Sequence, residues 1–168
     1  KKNVDSFVLT GGEPFADLVL LERLIDEIPK NKKIYINTTL PTHRYSEEEL
    51  AAFINNHRIN GINISRHQES LEEDKQFFNE EIASDSFVSK IQIPVKINIL
   101  VKEETIVANY LKRWDNYSNV RLSFRADYRT VTPASLRQLS DEFLDKIYQM
   151  ENISYVGHGG CDVCFDVG

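Results

Sequence analysis

Three groups of residues in this sequence carry chemistry. The first is Thr10-Gly11-Gly12-Glu13-Pro14. Paired glycines let the backbone come close to a ligand, and the neighbouring carboxylate can accept hydrogen bonds from an ammonium group. The second is Cys161-x-x-Cys164, whose spacing suits one metal ion or cluster. Gly159-Gly160 would let that loop wrap closely, and His158 offers a further ligand. Such a site needs about four ligands, and the chain has 2 cysteines. The pair is therefore half a site, or simply two cysteines on a terminal strand. The third group is a set of polar clusters where apolar runs end: Asn37-Thr38-Thr39, Ser65-Arg66-His67 and Arg125 to Arg129.

Alternating strand and helix patterns position these groups. Phe7-Val8-Leu9 reads as a buried strand. Pro14 then opens a helix over 15–29, with Leu18, Leu21, Ile25 and Ile28 on one face. Further strands are expected at about 33–38, 61–65, 94–101 and 119–126, after a first at 5–10. Ser46-Glu47-Glu48-Glu49 and Ser70-Leu71-Glu72-Glu73 read as capping boxes that open helices. Leu50, Phe53 and Ile54 mark the buried face after the first. A weakly apolar helix over 71–83 follows the second. A helix over 103–117 carries Ile106, Val107, Tyr110, Leu111 and Trp114. Thr132-Pro133 marks another helix start. Strand–helix alternation predicts an α/β fold with a parallel sheet and crossover helices. In such folds ligands bind at the carboxyl ends of the strands, where all three polar clusters fall.

Within the strand at 94–101, Val95, Ile97 and Ile99 alternate with Lys96, Asn98 and Leu100. An asparagine in an apolar strand costs burial energy unless it is hydrogen-bonded. In the last parallel strand Leu122 and Phe124 face one way, while Arg121, Ser123 and Arg125 face the other.

The 168 residues suffice for one domain with a full core, and 41% hydrophobic with 27% charged is an ordinary globular balance. A net charge of −6 argues against nucleic acid as the main partner. A local basic groove stays open, because net charge is a sum. No apolar run reaches the roughly 20 residues of a membrane span. Two cysteines are no disulfide framework, so a reducing cytoplasm is the simplest compartment.

Thr10-Gly11-Gly12-Glu13-Pro14 between a strand and a helix resembles the second-strand motif of the radical S-adenosylmethionine (radical SAM) enzymes. The resemblance spans about residues 5–130. It implies a partial (β/α) barrel with its first strand–helix unit missing, over residues 1–150. Residues 151–168 would then start a C-terminal extension carrying the cysteine pair, the beginning of an auxiliary metal site. The resemblance implies that Gly11, Gly12, Glu13 and Pro14 hold S-adenosylmethionine, Glu13 through its methionine ammonium. By the same resemblance Arg66 meets the methionine carboxylate and Ser65 and Asn98 lie on the ribose side. Asn37 and Thr38 loosely match a further cofactor-side position. Arg125, Asp127, Tyr128 and Arg129 become candidate substrate residues, and His67 a proton shuttle or an ordinary loop residue.

The family's Cys-x-x-x-Cys-x-x-Cys loop, which binds a [4Fe–4S] cluster, is not in this sequence. The chain therefore reads as a fragment whose preceding segment would carry the cluster. The full protein would cleave S-adenosylmethionine reductively and abstract a hydrogen atom from a substrate that the sequence does not name. Two other readings stay open: a non-catalytic binding domain built on the same barrel, and a small zinc or iron–sulfur domain using Cys161, Cys164 and His158.

Overall fold

The computed structural model describes residues 4–102, 105–115, 117, 119–127 and 129, with residues 126, 153–159 and 162–167 described by backbone alone. Five parallel strands follow one another in chain order: β1 (Ser6–Leu9), β2 (Lys33–Thr38), β3 (Gly61–Ser65), β4 (Val95–Val101) and β5 (Val120–Ala126). Each lies within a residue or two of its expected span. A hairpin of β6 (Ile153–Gly159) and β7 (Asp162–Val167) extends the same sheet, with β7 antiparallel to β5.

The crossovers are α1 (Leu18–Glu27), α2 (Glu47–Asn56), the pair α3 (Leu71–Phe78) and α4 (Asp85–Val88), and α5 (Val107–Trp114). Their starts follow the expected caps. Ser46 and Glu49 form the full reciprocal box. At Ser70 the hydroxyl accepts from the Glu73 amide and donates to the Glu73 carboxylate. Three helix spans differ from expectation. Pro14–Ala16 forms a 3₁₀ turn before α1, and Asp17 caps the helix proper. α3 ends at Phe78 because Asn79 takes a left-handed conformation (φ 52°), a common way to stop a helix. α5 starts at Val107, so Ile106 is its capping residue and lies exposed. The expected helix start at Thr132-Pro133 lies outside the described residues.

The two faces of the sheet differ sharply. Ile34, Ile36, Ile62, Ile64, Val95, Ile97, Ile99, Leu122 and Phe124 point to the helices and form the core with Leu21, Ile25, Leu50, Ile54, Leu111 and Trp114. Tyr35, Asn37, Asn63, Ser65, Lys96, Asn98, Arg121, Ser123 and Arg125 alternate with them and line the other, inner face, since successive residues point to opposite sides. No helix covers this inner face among the described residues. A buried ion-pair network fastens α3, α4 and α5 on the outer side: Arg113 donates to Asp74 at 2.7 Å and to Asp85 at 2.7 and 2.9 Å. No helix of the described residues is long and apolar enough to cross a membrane.

Candidate cofactor-binding site

The site begins where β1 ends. Gly11 and Gly12 have φ of 90° and 58°, backbone that side chains rarely adopt, and open space surrounds the position of a Cβ on either. Glycine is thus favoured here by conformation, and it leaves room beside the turn. Pro14 sits in the first position of the 3₁₀ turn and Glu13 caps it.

The Glu13 carboxylate is the hub. Its Oε1 accepts from the Phe15 amide at 3.0 Å and the Thr38 hydroxyl at 2.5 Å. Its Oε2 accepts from the Thr39 amide at 2.8 Å and the Thr39 hydroxyl at 2.9 Å. Four donors fill the roughly four acceptor positions of a carboxylate. The Thr39 hydroxyl also lies 3.0 Å from Glu80 Oε2. One hydroxyl has one proton, so it serves one carboxylate at a time, and turning it toward Glu80 opens an acceptor position on Glu13. The next residue, Leu40, is buried with φ 59°. A left-handed leucine is strained backbone, held here by its amide bond to Thr38 Oγ1 and its carbonyl bond from Ala83.

Arg66 does not sit as the resemblance implied. It follows Ser65 on the strand, so it points away from the inner face and is fully buried. Its guanidinium donates to the carbonyls of Thr39 (2.7 Å) and Ser65 (2.8 Å) at the ends of β2 and β3, and to that of Ala83 (3.0 Å) in the loop between α3 and α4. Burial draws its pKa down to about 10, opposed by Asp74 and Asp85. Arg66 ties the ends of β2 and β3 together in place of a direct approach to a ligand.

Asn37, Ser65 and Asn98 do reach the inner face. Asn37 accepts from Asn63 Nδ2 at 2.7 Å and leans on Thr10 Oγ1 at 3.5 Å. Thr38 points outward and acts through Glu13. Ser65 and Asn98 are register partners, and the Asn98 carbonyl accepts from the Arg66 amide at 3.0 Å. The Asn98 side-chain oxygen is buried with no hydrogen-bond partner. A contact chain thus runs from Glu13 through Thr39, Arg66 and Ser65 to Asn98.

His67, one step past Arg66, packs its ring against Phe77 and Phe78. Burial pushes its pKa down to about 4, so the ring is neutral near pH 7. Its Nδ1 is buried without a partner. Arg125 is exposed on the inner face, in register with Leu100. Asp127 is buried and paired with Arg129 at 2.9 Å, which holds its pKa down to about 2. Tyr128 and Cys161 lie outside the described residues, and Cys164 is described only as a backbone position of β7, in register with Ser123. Among the described residues no three His, Cys, Asp or Glu side chains converge as a metal site.

Compared with solved structures, the chain matches the crystal structure of archaeal TYW1, a radical SAM enzyme, with a TM-score of 0.60 and 10% sequence identity. The five parallel strands with their outer helices form an α/β fold consistent with a partial (β/α) barrel, as the likeness to that structure indicates. The match covers 97% of this chain and 57% of that one. No family model and no curated protein matches the sequence. On this barrel the glycine turn, Ser65 and Asn98 all stand at the carboxyl-end mouth, where barrels of parallel strands place their chemistry. Sequence reasoning missed Thr39's double role, Glu80 and Asn63. Asn63 was readable, because it shares the alternation of Ser65. Glu80 was not, because its contact with Thr39 spans 41 residues.

Proposed function

We propose that this chain forms the S-adenosylmethionine-binding part of a radical SAM enzyme. One observation carries the reading: the barrel mouth gathers the Gly11-Gly12-Glu13 turn and a buried, unpartnered acceptor on Asn98. An orphaned buried acceptor costs about 1–3 kcal/mol, which a ligand hydroxyl offsets by donating to it. A ribose supplies such hydroxyls.

Glu13 receives the ammonium group after Thr39 turns its hydroxyl to Glu80. Gly11 and Gly12 leave the space for that approach. Arg66 acts beneath the site by fixing Thr39 and Ser65. The bound cofactor and a [4Fe–4S] cluster would supply reductive cleavage of S-adenosylmethionine and hydrogen-atom abstraction from a substrate. The cluster ligands would lie outside this sequence, which has no Cys-x-x-x-Cys-x-x-Cys.

The free edge of β1 suits a segment that would carry them. Phe7 and Val8 on β1, and Val19, Leu20 and Leu24 on α1, are exposed apolar residues on adjoining elements. A cavity of about 340 Å³ lies between the glycine turn and α1, with Leu20 and Leu24 in its wall. One more strand–helix unit would pair with β1 and cover these residues.

The test is calorimetric titration of S-adenosylmethionine into the full-length protein and its Glu13→Gln variant. Glutamine keeps the size of the side chain and removes the charge that meets the ammonium. Affinity is expected to fall at least tenfold in the variant. Equal affinities would overturn the assignment of Glu13.

A further inference from the structure

The inner face holds a second feature that the cofactor reading does not use. A cavity of about 620 Å³ opens toward the amino ends of the strands, lined by Val8, Tyr35, Asn63, Pro94, Lys96 and Arg121. That volume lies in the range of small-molecule sites. Asn63, Lys96 and Arg121 line it as a polar row in register on three neighbouring strands, and Asn37 continues that row on β2. Barrel interiors are normally filled by branched apolar side chains at such positions.

Lys96 and Arg121 are direct cross-strand neighbours on this face. Like charges so placed repel. Lys96 is half-buried and makes no ion pair among the described residues. Arg121 is already engaged, with Asp166 at the register position beyond it, so Lys96 is the principal cation and Arg121 the positive charge adjoining it. Two other amides at the cavity are already engaged: Asn60 accepts from the Ile34 amide, and Asn119 donates to the carbonyls of Val88 and Ile91. Asn63 uses its Nδ2 on Asn37. The Tyr35 ring packs over Gly61, where any Cβ would come within 3.1 Å of it, so this glycine admits the ring to the cavity wall.

We infer that this cavity binds the anionic group, phosphate or carboxylate, of a small organic molecule, with Lys96 as its principal contact. The volume of the cavity suits a small molecule, and the net charge of −6 opposes a long polyanionic strand. The Lys96 row stands two residues below Asn98, about 7 Å along the strand. A substrate anchored there would extend up the inner face toward the mouth. That placement as a substrate rests on the cofactor reading, but the anion site does not.

The probe is inorganic pyrophosphate, with citrate as the carboxylate arm, titrated by calorimetry into the full-length protein. Saturable binding of at least one probe is expected, and which one binds tells phosphate from carboxylate. Lys96→Gln should weaken it at least tenfold, Lys96→Arg should keep it within threefold, and S-adenosylmethionine affinity should stay unchanged in both. Circular dichroism melts check that both variants fold. Absent saturable binding of either probe, or equal binding by Lys96→Gln, would overturn the inference. Tighter, Lys96-dependent binding of a single-stranded oligonucleotide would overturn the small-molecule assignment. Loss of pyrophosphate binding with S-adenosylmethionine binding intact, or the reverse, separates failure here from failure of the cofactor reading.

Discussion

The outer and inner faces of one sheet are built from the same strands and do different work. On the outer face β2 to β5 place isoleucine, valine, leucine and phenylalanine against five helices. On the inner face the same strands place Asn37, Asn63, Ser65, Lys96, Asn98, Arg121 and Ser123. The outward apolar residues gain stability by leaving water. An inward asparagine or lysine gains none that way, and Asn98 keeps a buried oxygen unsatisfied. The difference teaches where to look for each property: stability resides with the outer layer, and the candidate binding residues stand on the inner one.

Variants on the two sides should therefore fail differently. The largest loss is expected from Arg113→Ala on the outer side. It strands the carboxylates of Asp74 and Asp85, both held by the guanidinium, with Asp74 fully buried. Removing one partner of a buried pair costs roughly 3–5 kcal/mol, readable in a denaturant titration. A loss below about 1 kcal/mol would show that the network carries little of the fold. Next comes Ile97→Ala, which empties a fully buried position on β4 and should cost about 2–5 kcal/mol without changing cofactor affinity beyond what unfolding explains.

A smaller effect tests the border between the faces. The pKa of His67 falls from an ordinary 6.5 to about 4 because the ring is buried. The unfolded chain thus binds more protons between those values, and stability should fall as pH drops from about 6.5 to 4. The His67 share is at most about 3 kcal/mol. His67→Gln should remove that share, giving a flatter pH profile of the denaturation midpoint. An unchanged profile would mean that the ring titrates normally.

Much of this was legible in the sequence because period-two alternation survives in the strands. Val95, Ile97 and Ile99 against Lys96, Asn98 and Leu100 gave both the strand and its two faces. The Ser46 box set the start of α2, since its reciprocal bonds are local. Long-range chemistry was not legible. Arg66 looked like a ligand residue by its place at a strand end, yet the carbonyls of Thr39 and Ala83, distant in sequence, join that of the adjacent Ser65 in drawing it inward. Glu80 reaches Thr39 across 41 residues, a contact that no local pattern encodes. The end of α3 turned on a left-handed Asn79, which a weak apolar repeat did not signal.

The most direct test of the central claim is a paired measurement on Asn98→Leu in the full-length protein. Leucine matches asparagine in size and removes the unsatisfied oxygen. If the inner face serves binding and not stability, the denaturation free energy should stay within about 1 kcal/mol of the parent, while S-adenosylmethionine affinity falls at least tenfold. A variant that binds S-adenosylmethionine as tightly as the parent would contradict the placement of the cofactor at this mouth.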